Sequence, residues 1–270
     1  MNYFYTLLLC LFTTLQCFAQ ADSSKTTLTL AAIYNSNVSY YGQTTSEKMP
    51  MALTNATVKF PFGLYVSSSA YNLFTTGSGM VFNVDVGYDF KLAEKLASTI
   101  SISRAFIPEN APLLQASNPN TASAALTYTH WLTTGLSVDY AFGQEQDWFI
   151  TLNNSKPIEL GHLIDESDFL TLEPAIEFIG GTQRFTQYYA TRKNPLKGKP
   201  TIPGNGGIVE TSVISSKFGL LTTNFKLPLA YSRSSYLAEI AYQFSVLGKT
   251  TELPAGATRS FFNLSFYYQF

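Results

Sequence analysis

The stretch that most limits what this chain can fold into is Phe262–Phe270. There Phe262, Leu264, Phe266, Tyr268 and Phe270 alternate with Asn263, Ser265, Tyr267 and Gln269. Successive side chains of an extended strand leave opposite faces, so one face is a continuous apolar ladder and the other is largely polar. Exposed to water at a sheet edge, such a ladder templates aggregation. A closed barrel in a bilayer uses it instead: one face meets lipid, the other meets the lumen, and closure removes the edge.

The same period of two recurs in segments of about ten residues, the length of a tilted spanning strand. Phe82, Val84, Val86, Tyr88, Phe90 and Leu92 oppose Asn83, Asp85, Gly87, Asp89 and Lys91, a set that a helix would scatter around its axis. Leu136, Val138, Tyr140 and Phe142 oppose Ser137, Asp139, Ala141 and Gly143. Leu170, Leu172, Ile176 and Phe178 oppose Thr171, Glu173, Ala175 and Glu177. Leu221, Thr223, Phe225, Leu227 and Leu229 oppose Thr222, Asn224, Lys226 and Pro228. Tyr236, Ala238, Ile240, Tyr242, Phe244 and Val246 oppose Glu239, Ala241, Gln243 and Ser245, although Leu237, Ile240, Ala241 and Phe244 also have helical spacing. Pro174 and Pro228 have no N–H to give a ladder, so each predicts a strand end or a bulge. Weaker alternation spans 26–42, 50–60, 64–74, 97–107, 122–132 and 148–156.

The fold class expected is therefore all-β, an antiparallel up-and-down transmembrane barrel of about twelve strands, with ten or fourteen as alternatives. An even count puts both termini on the periplasmic side. External loops then fall at 43–48, 75–80, 108–121, 144–147, 180–216 and 248–259. Internal turns fall at 61–63, 93–96, 133–135, 157–167 and 230–235. Long outside and short inside is the usual asymmetry; 157–167 breaks it and marks where the register is least secure. Residues 192–207 are basic and rich in Pro and Gly, so they cannot continue a strand. They read as a mobile surface loop, or else as a folded-in constriction or a ligand-gripping loop.

Composition agrees. The chain holds 21 Phe and 17 Tyr, and only 13% of its residues are charged, against about 25% in soluble domains. Its apolar run at 4–15 is too short to span a bilayer but suits a signal peptide over 1–20, cleaved after Ala19 or Ala21. Residues 21–270 then form a single domain. Cys10 and Cys17 both lie in the signal, so the mature chain has no thiol for disulfides, catalysis or metal binding. Gln16 and Thr14 disfavour lipidation at Cys17. A formal net charge of −1 carries no footprint of nucleic-acid binding.

With its signal peptide, alternating aromatic strands and terminal Phe266-Tyr267-Tyr268-Gln269-Phe270, the chain resembles the bacterial outer-membrane β-barrel proteins. Ala19-Gln20 and the Tyr-rich strands are similar to those of exported Bacteroidota proteins. The resemblance implies a location in the outer membrane, contact with its lipid, and reading of Phe266, Tyr268 and Phe270 by the barrel-assembly machinery. It names no transporter family.

Catalytic sets are thin. Of two histidines, His130 sits beside Trp131 at a strand end and reads as an interfacial residue, and His162 reads as a turn residue. Asp165-Glu166-Ser167-Asp168 lacks the glycine and spaced oxygens of a calcium loop and reads as a solvated turn. No cofactor or metal is implied, and no enzyme activity is expected. If the apolar face meets lipid, the lumen receives Asp85, Asp89, Asp139, Glu173, Glu177 and Glu239 with Lys59, Lys91 and Lys226, an acidic excess that favours cations or polyols over anions. Arg104 shares parity with Ile100 and Ile102, so it must snorkel at the outer rim or be turned inward by a bulge. The function expected is a narrow porin for small solutes. The alternatives are a closed structural or binding barrel using the 180–216 loop, a lipid-modifying barrel enzyme acting through His130, and a secreted β-sandwich.

Overall fold

A computed structural model describes residues 25–41, 49–74, 79–108, 118–182, 218–248 and 256–270. The strands are β1 (Thr27–Asn35), β2 (Met51–Lys59), β3 (Leu64–Leu73), β4 (Val81–Ala93), β5 (Leu96–Phe106), β6 (Asn120–Thr129), β7 (Thr133–Phe142), β8 (Gln146–Ser155), β9 (Ile158–Gly161), β10 (Asp168–Leu172), β11 (Ala175–Thr182), β12 (Phe218–Arg233), β13 (Tyr236–Leu247) and β14 (Thr258–Gln269). Every described pairing is antiparallel. β1 to β8 pair in chain order, β8 pairs with β11, β11 to β14 pair in order, and β14 returns to β1, closing a ring of twelve strands. The closing seam is the terminal ladder itself, running from Thr29 opposite Gln269 to Asn35 opposite Asn263. Tyr236–Leu247, the segment with competing helical spacing, is a strand paired on both sides.

The turns at the end holding the termini are short, and Gly63 shows why one of them needs glycine. Its φ is +99°, and a Cβ there would stand 2.2 Å from the Asp89 carbonyl oxygen.

The outer face is apolar around the ring, with Leu28, Leu30, Val84, Val86, Ile100, Ile102, Leu152, Leu227, Ile240 and Leu264 among its exposed side chains. Aromatic rings border this band at both ends. Tyr88 with Phe90, Tyr128 with His130, and Tyr268 with Phe270 stand near the termini; Tyr140 with Trp148, Tyr242 with Phe262, and Tyr34 with Phe74 stand at the opposite end. A closed ring with an apolar waist and two aromatic belts is the arrangement a bilayer selects. Arg104 faces outward at the loop end. It pairs with Val84 and Asn120 with no register shift there, and its guanidinium lies 5.6 Å over the Phe106 ring, so it snorkels.

Two expectations are corrected by the extra strands. The segment at 157–167 is no simple turn. β9 prolongs the line of β8, and β10 that of β11, beyond the ring, where β10 pairs with Leu229–Arg233 of the long β12. The interruptions lie at Lys156-Pro157 and Glu173-Pro174, tied by Lys156 N–H donating to the Pro174 carbonyl at 3.1 Å. The strand expected through 170–178 is therefore split at Pro174. Glu173 N–H donates to Pro228 O at 3.0 Å, so the side of β12 on which Pro228 lacks a donor faces this same break.

The acidic turn is also not simply solvated. Asp168 is 0% exposed and accepts the N–H groups of Leu163 (2.7 Å), Ile164 (2.8 Å) and Asp165 (3.2 Å) and the Tyr231 hydroxyl (3.1 Å). Desolvation by itself raises its pKa. The backbone donors and the tyrosine together outweigh this and hold it below the usual carboxylate range.

Leu221 departs from its expected outward place. Between β11 and β12 the register shifts: Ile179 faces Thr222, and Gly180 faces Leu220. The bulge skips Leu221 and turns it inward, where it is 3% exposed.

Candidate functional site

The interior at the loop end holds what sequence alternation did not foresee. Strand β1 was expected to run through 42, but it ends at Asn35, and the next residues leave the wall. Ser36 still bonds β14, through its N–H to Phe262 O (2.9 Å) and its Oγ from Phe262 N–H (2.8 Å). Val38 N–H donates to Met49 O, and Asn37 Oδ1 accepts Met49 N–H, each at 2.9 Å. Val38, Met49 and Leu73 bury one another there.

Tyr40 and Tyr41 then pack on the far side of the ring, against Ala141 of β7, Phe149 of β8, Ile179 of β11 and Leu221 of β12. The Tyr41 ring stacks on Phe149 at 3.7 Å and 7°. Tyr40 meets Phe149 edge-on at 5.6 Å and Tyr41 at 4.7 Å. Residues 36–41 thus reach across the lumen. Tyr41 holds φ at +47°, a left-handed conformation unfavourable for a bulky side chain and kept only where surrounding contacts impose it. Its hydroxyl bonds Asp139.

Gly181 makes this docking surface flat. A Cβ there would lie 2.5 Å from the Phe149 ring and 2.7 Å from Leu221. Asp147, in a stretch read as loop, is buried on the inner face of β8, bonded by Asn118 Nδ2 at 2.5 Å and by Thr182 Oγ1. One signal in the sequence did point here: Phe149 shares parity with Asp147, Thr151 and Asn153 rather than with Trp148, Ile150 and Leu152, so it is an aromatic on the polar face.

Below this crossing lies a cavity of about 330 Å³ bordered by Asn35, Asn37, Tyr41, Glu177, Asn224 and Lys226, among others. Glu177 accepts Lys226 Nζ at 2.9 Å and Asn224 Nδ2 at 2.7 Å.

The remaining charges expected inside fall on the face opposite the apolar ladder. Near the termini Lys59 meets Asp89 at 2.6 Å, and Thr99 Oγ1 donates to Asp89 at 2.7 Å. Asp85 is bonded by the hydroxyls of Tyr65 and Ser101. Tyr65 lies across Gly87, where a Cβ would come within 2.4 Å of the ring. Glu239 on β13 faces Glu173 at the break between β10 and β11. Lys91 stands exposed near the β4–β5 turn. The structure thus brings together Lys59 with Asp89 and Lys226 with Glu177, whereas Asp85 and Asp139 are held by hydroxyls.

His130 stacks on Tyr128 at 5.0 Å and stands 3.3 Å from Thr134 Oγ1; among the described residues it bonds neither a serine nor a carboxylate. His162 stands beside the Asp168 carbonyl in the β9–β10 turn. Phe266, Tyr268 and Phe270 face outward at the end holding the termini. The signal segment 1–20, loop residues 192–207 and most of 180–216 lie outside the described residues.

No protein family and no curated protein matches the sequence. Solved structures do match in shape. The KdgM porin superposes with a TM-score of 0.50 at 9% identity, covering 90% of this chain and 99% of that one. It has the fold of an outer-membrane β-barrel. An outer-membrane channel from Pseudomonas putida F1 follows at a TM-score of 0.49 and 10% identity, covering 93% and 98%. LpxR from Salmonella typhimurium gives 0.48 at 11% identity, covering 89% and 99%. At such identities the likeness speaks for the fold alone.

Proposed function

We propose that this chain is a narrow outer-membrane channel for small polar solutes, constricted by its own first loop. The observation that carries the reading is the inner face: charged and amide side chains line a closed ring whose outside is apolar and belted with aromatics. Barrels of this size fall between those filled by side chains and those with open channels, and the crossing segment 36–41 accounts for a narrow path. The charged residues assigned to the lumen by parity are Asp85, Asp89, Asp139, Glu173, Glu177, Glu239, Lys59, Lys91 and Lys226, and Asp147 on β8 joins them. The polar, charged inner face is what favours a channel over a closed or catalytic barrel.

Purified protein in planar bilayers is expected to give small, discrete, cation-preferring conductance steps. Silence at every voltage and solute would end the channel reading and leave the barrel intact.

In the same reading residues 1–20 direct export, both termini are periplasmic, and the outward Phe266, Tyr268 and Phe270 are what the barrel-assembly machinery engages. Deleting Phe270 is then expected to lower the fraction of chain inserted in the outer membrane several-fold. Unchanged membrane yield in fractionated cells would remove that role.

A further inference from the structure

We infer that the cavity beneath Tyr41 is a binding site for an uncharged polyhydroxylated solute of mono- or disaccharide size. The inference names the passenger class for the channel proposed above.

The wall carries five side-chain amides, Asn35, Asn37, Asn224, Gln243 and Asn263, brought from β12, β13, β14, the end of β1 and the residues just after it. Each amide offers a donor and an acceptor on adjacent atoms, the complement of a hydroxyl that both gives and takes. The Asn263 Oδ1 atom is buried and, among the described residues, has no hydrogen-bond partner. A buried acceptor in that state can take a donor from a bound solute, and a solute hydroxyl supplies one. Asn37, Asn224 and Gln243 are instead fixed by bonds to Met49 N–H, Glu177 and Ser245, so much of the wall is set before a ligand arrives.

Charge then narrows the class. The two ionised groups on the wall are Glu177 and Lys226, and they bond each other at 2.9 Å. An ion entering the cavity would lose water without gaining a free counter-charge, which disfavours charged ligands. A neutral polyol meets the amides and the Ser39 and Thr151 side chains without needing a counter-charge, while Tyr41, Ile179 and Phe261 border its C–H surface. The volume of about 330 Å³ lies at the small end of ligand pockets, roughly 300–1,000 Å³.

The test titrates the purified full chain in detergent with glucose, maltose and mannitol by calorimetry, using glucuronate and arginine as charged controls. At least one neutral probe is expected to bind, with both charged probes weaker by about tenfold or more. Asn263→Ala and Gln243→Ala, made separately and checked for heat-modifiable migration as folded barrels, are each expected to weaken it by about threefold to tenfold. Heat from none of the neutral probes, equal binding of glucuronate or arginine, or both variants binding like the parent would overturn the inference. Binding is read without conductance, so the two readings separate. A chain that binds but never conducts ends the channel and keeps the site; a chain that conducts but does not bind does the reverse.

Discussion

Phe149→Ala is expected to release the inward-folded segment and raise single-channel conductance. Phe149 is 2% exposed and supplies the ring on which Tyr41 stacks and Tyr40 rests. Truncating a buried phenylalanine costs about 3–5 kcal/mol. The left-handed backbone at Tyr41 works in the same direction, because strain of roughly 1–3 kcal/mol would no longer be opposed by the stack. Each 1.4 kcal/mol is tenfold, so the ratio of docked to undocked segment should fall by about a hundredfold or more. The ladder bonds of β7, β8 and β11 do not pass through this side chain, so the ring should survive. Trp148→Ala, one residue away on the lipid face, is the matched control and should leave conductance unchanged. Planar-bilayer recordings of the two variants decide the matter: equal conductance in Phe149→Ala and the parent would remove residues 36–41 as the constriction.

The ring was legible because each of its residues answers one question, lipid or lumen, and the answer alternates. Asp85, Asp89, Asp139, Glu177 and Lys226 stand on strands paired on both sides, where a side chain has no third direction and parity is the only question to ask. Parity failed where the backbone left the ladder. Leu221 turned inward because a bulge consumed one residue of register. Past Ser36, which still bonds β14, the chain to Tyr41 left the wall, and no periodicity marks a chain that crosses a lumen; what remained visible was Phe149, an aromatic on the polar face waiting for a partner. The hairpin past Pro157 and Pro174 was missed for a related reason. The prolines interrupt each line of strand, but β12 continues beyond them and gives β10 a new edge to pair with. The long basic loop, singled out for its composition, lies outside the described residues; composition shows that a segment cannot be a strand and not where it goes.

Neutralising Asp85, Asp139 and Glu239 to Asn, Asn and Gln should cut the preference for cations over anions several-fold. Lys59 offsets Asp89 and Lys226 offsets Glu177, whereas Asp85 is bonded by hydroxyls, Asp139 by Tyr41, and Glu239 faces another carboxylate. A cation passing about 4 Å from one carboxylate gains about 1 kcal/mol in bulk water and about 4 kcal/mol at an effective dielectric of 20, so three such charges suffice to dominate permeation. Asn and Gln keep the acceptor oxygens, so the Tyr41 and Tyr65 bonds persist and the change isolates charge. Reversal potentials under a salt gradient measure it. The difference between variant and parent should be large near 0.1 M, where the screening length is about 10 Å, and shrink near 1 M, where it is about 3 Å. Lys226→Met supplies the opposite sign: it leaves Glu177 without its cation and should strengthen cation preference. If both changes moved selectivity in the same direction, the effect would come from a collapsed lumen rather than from its field.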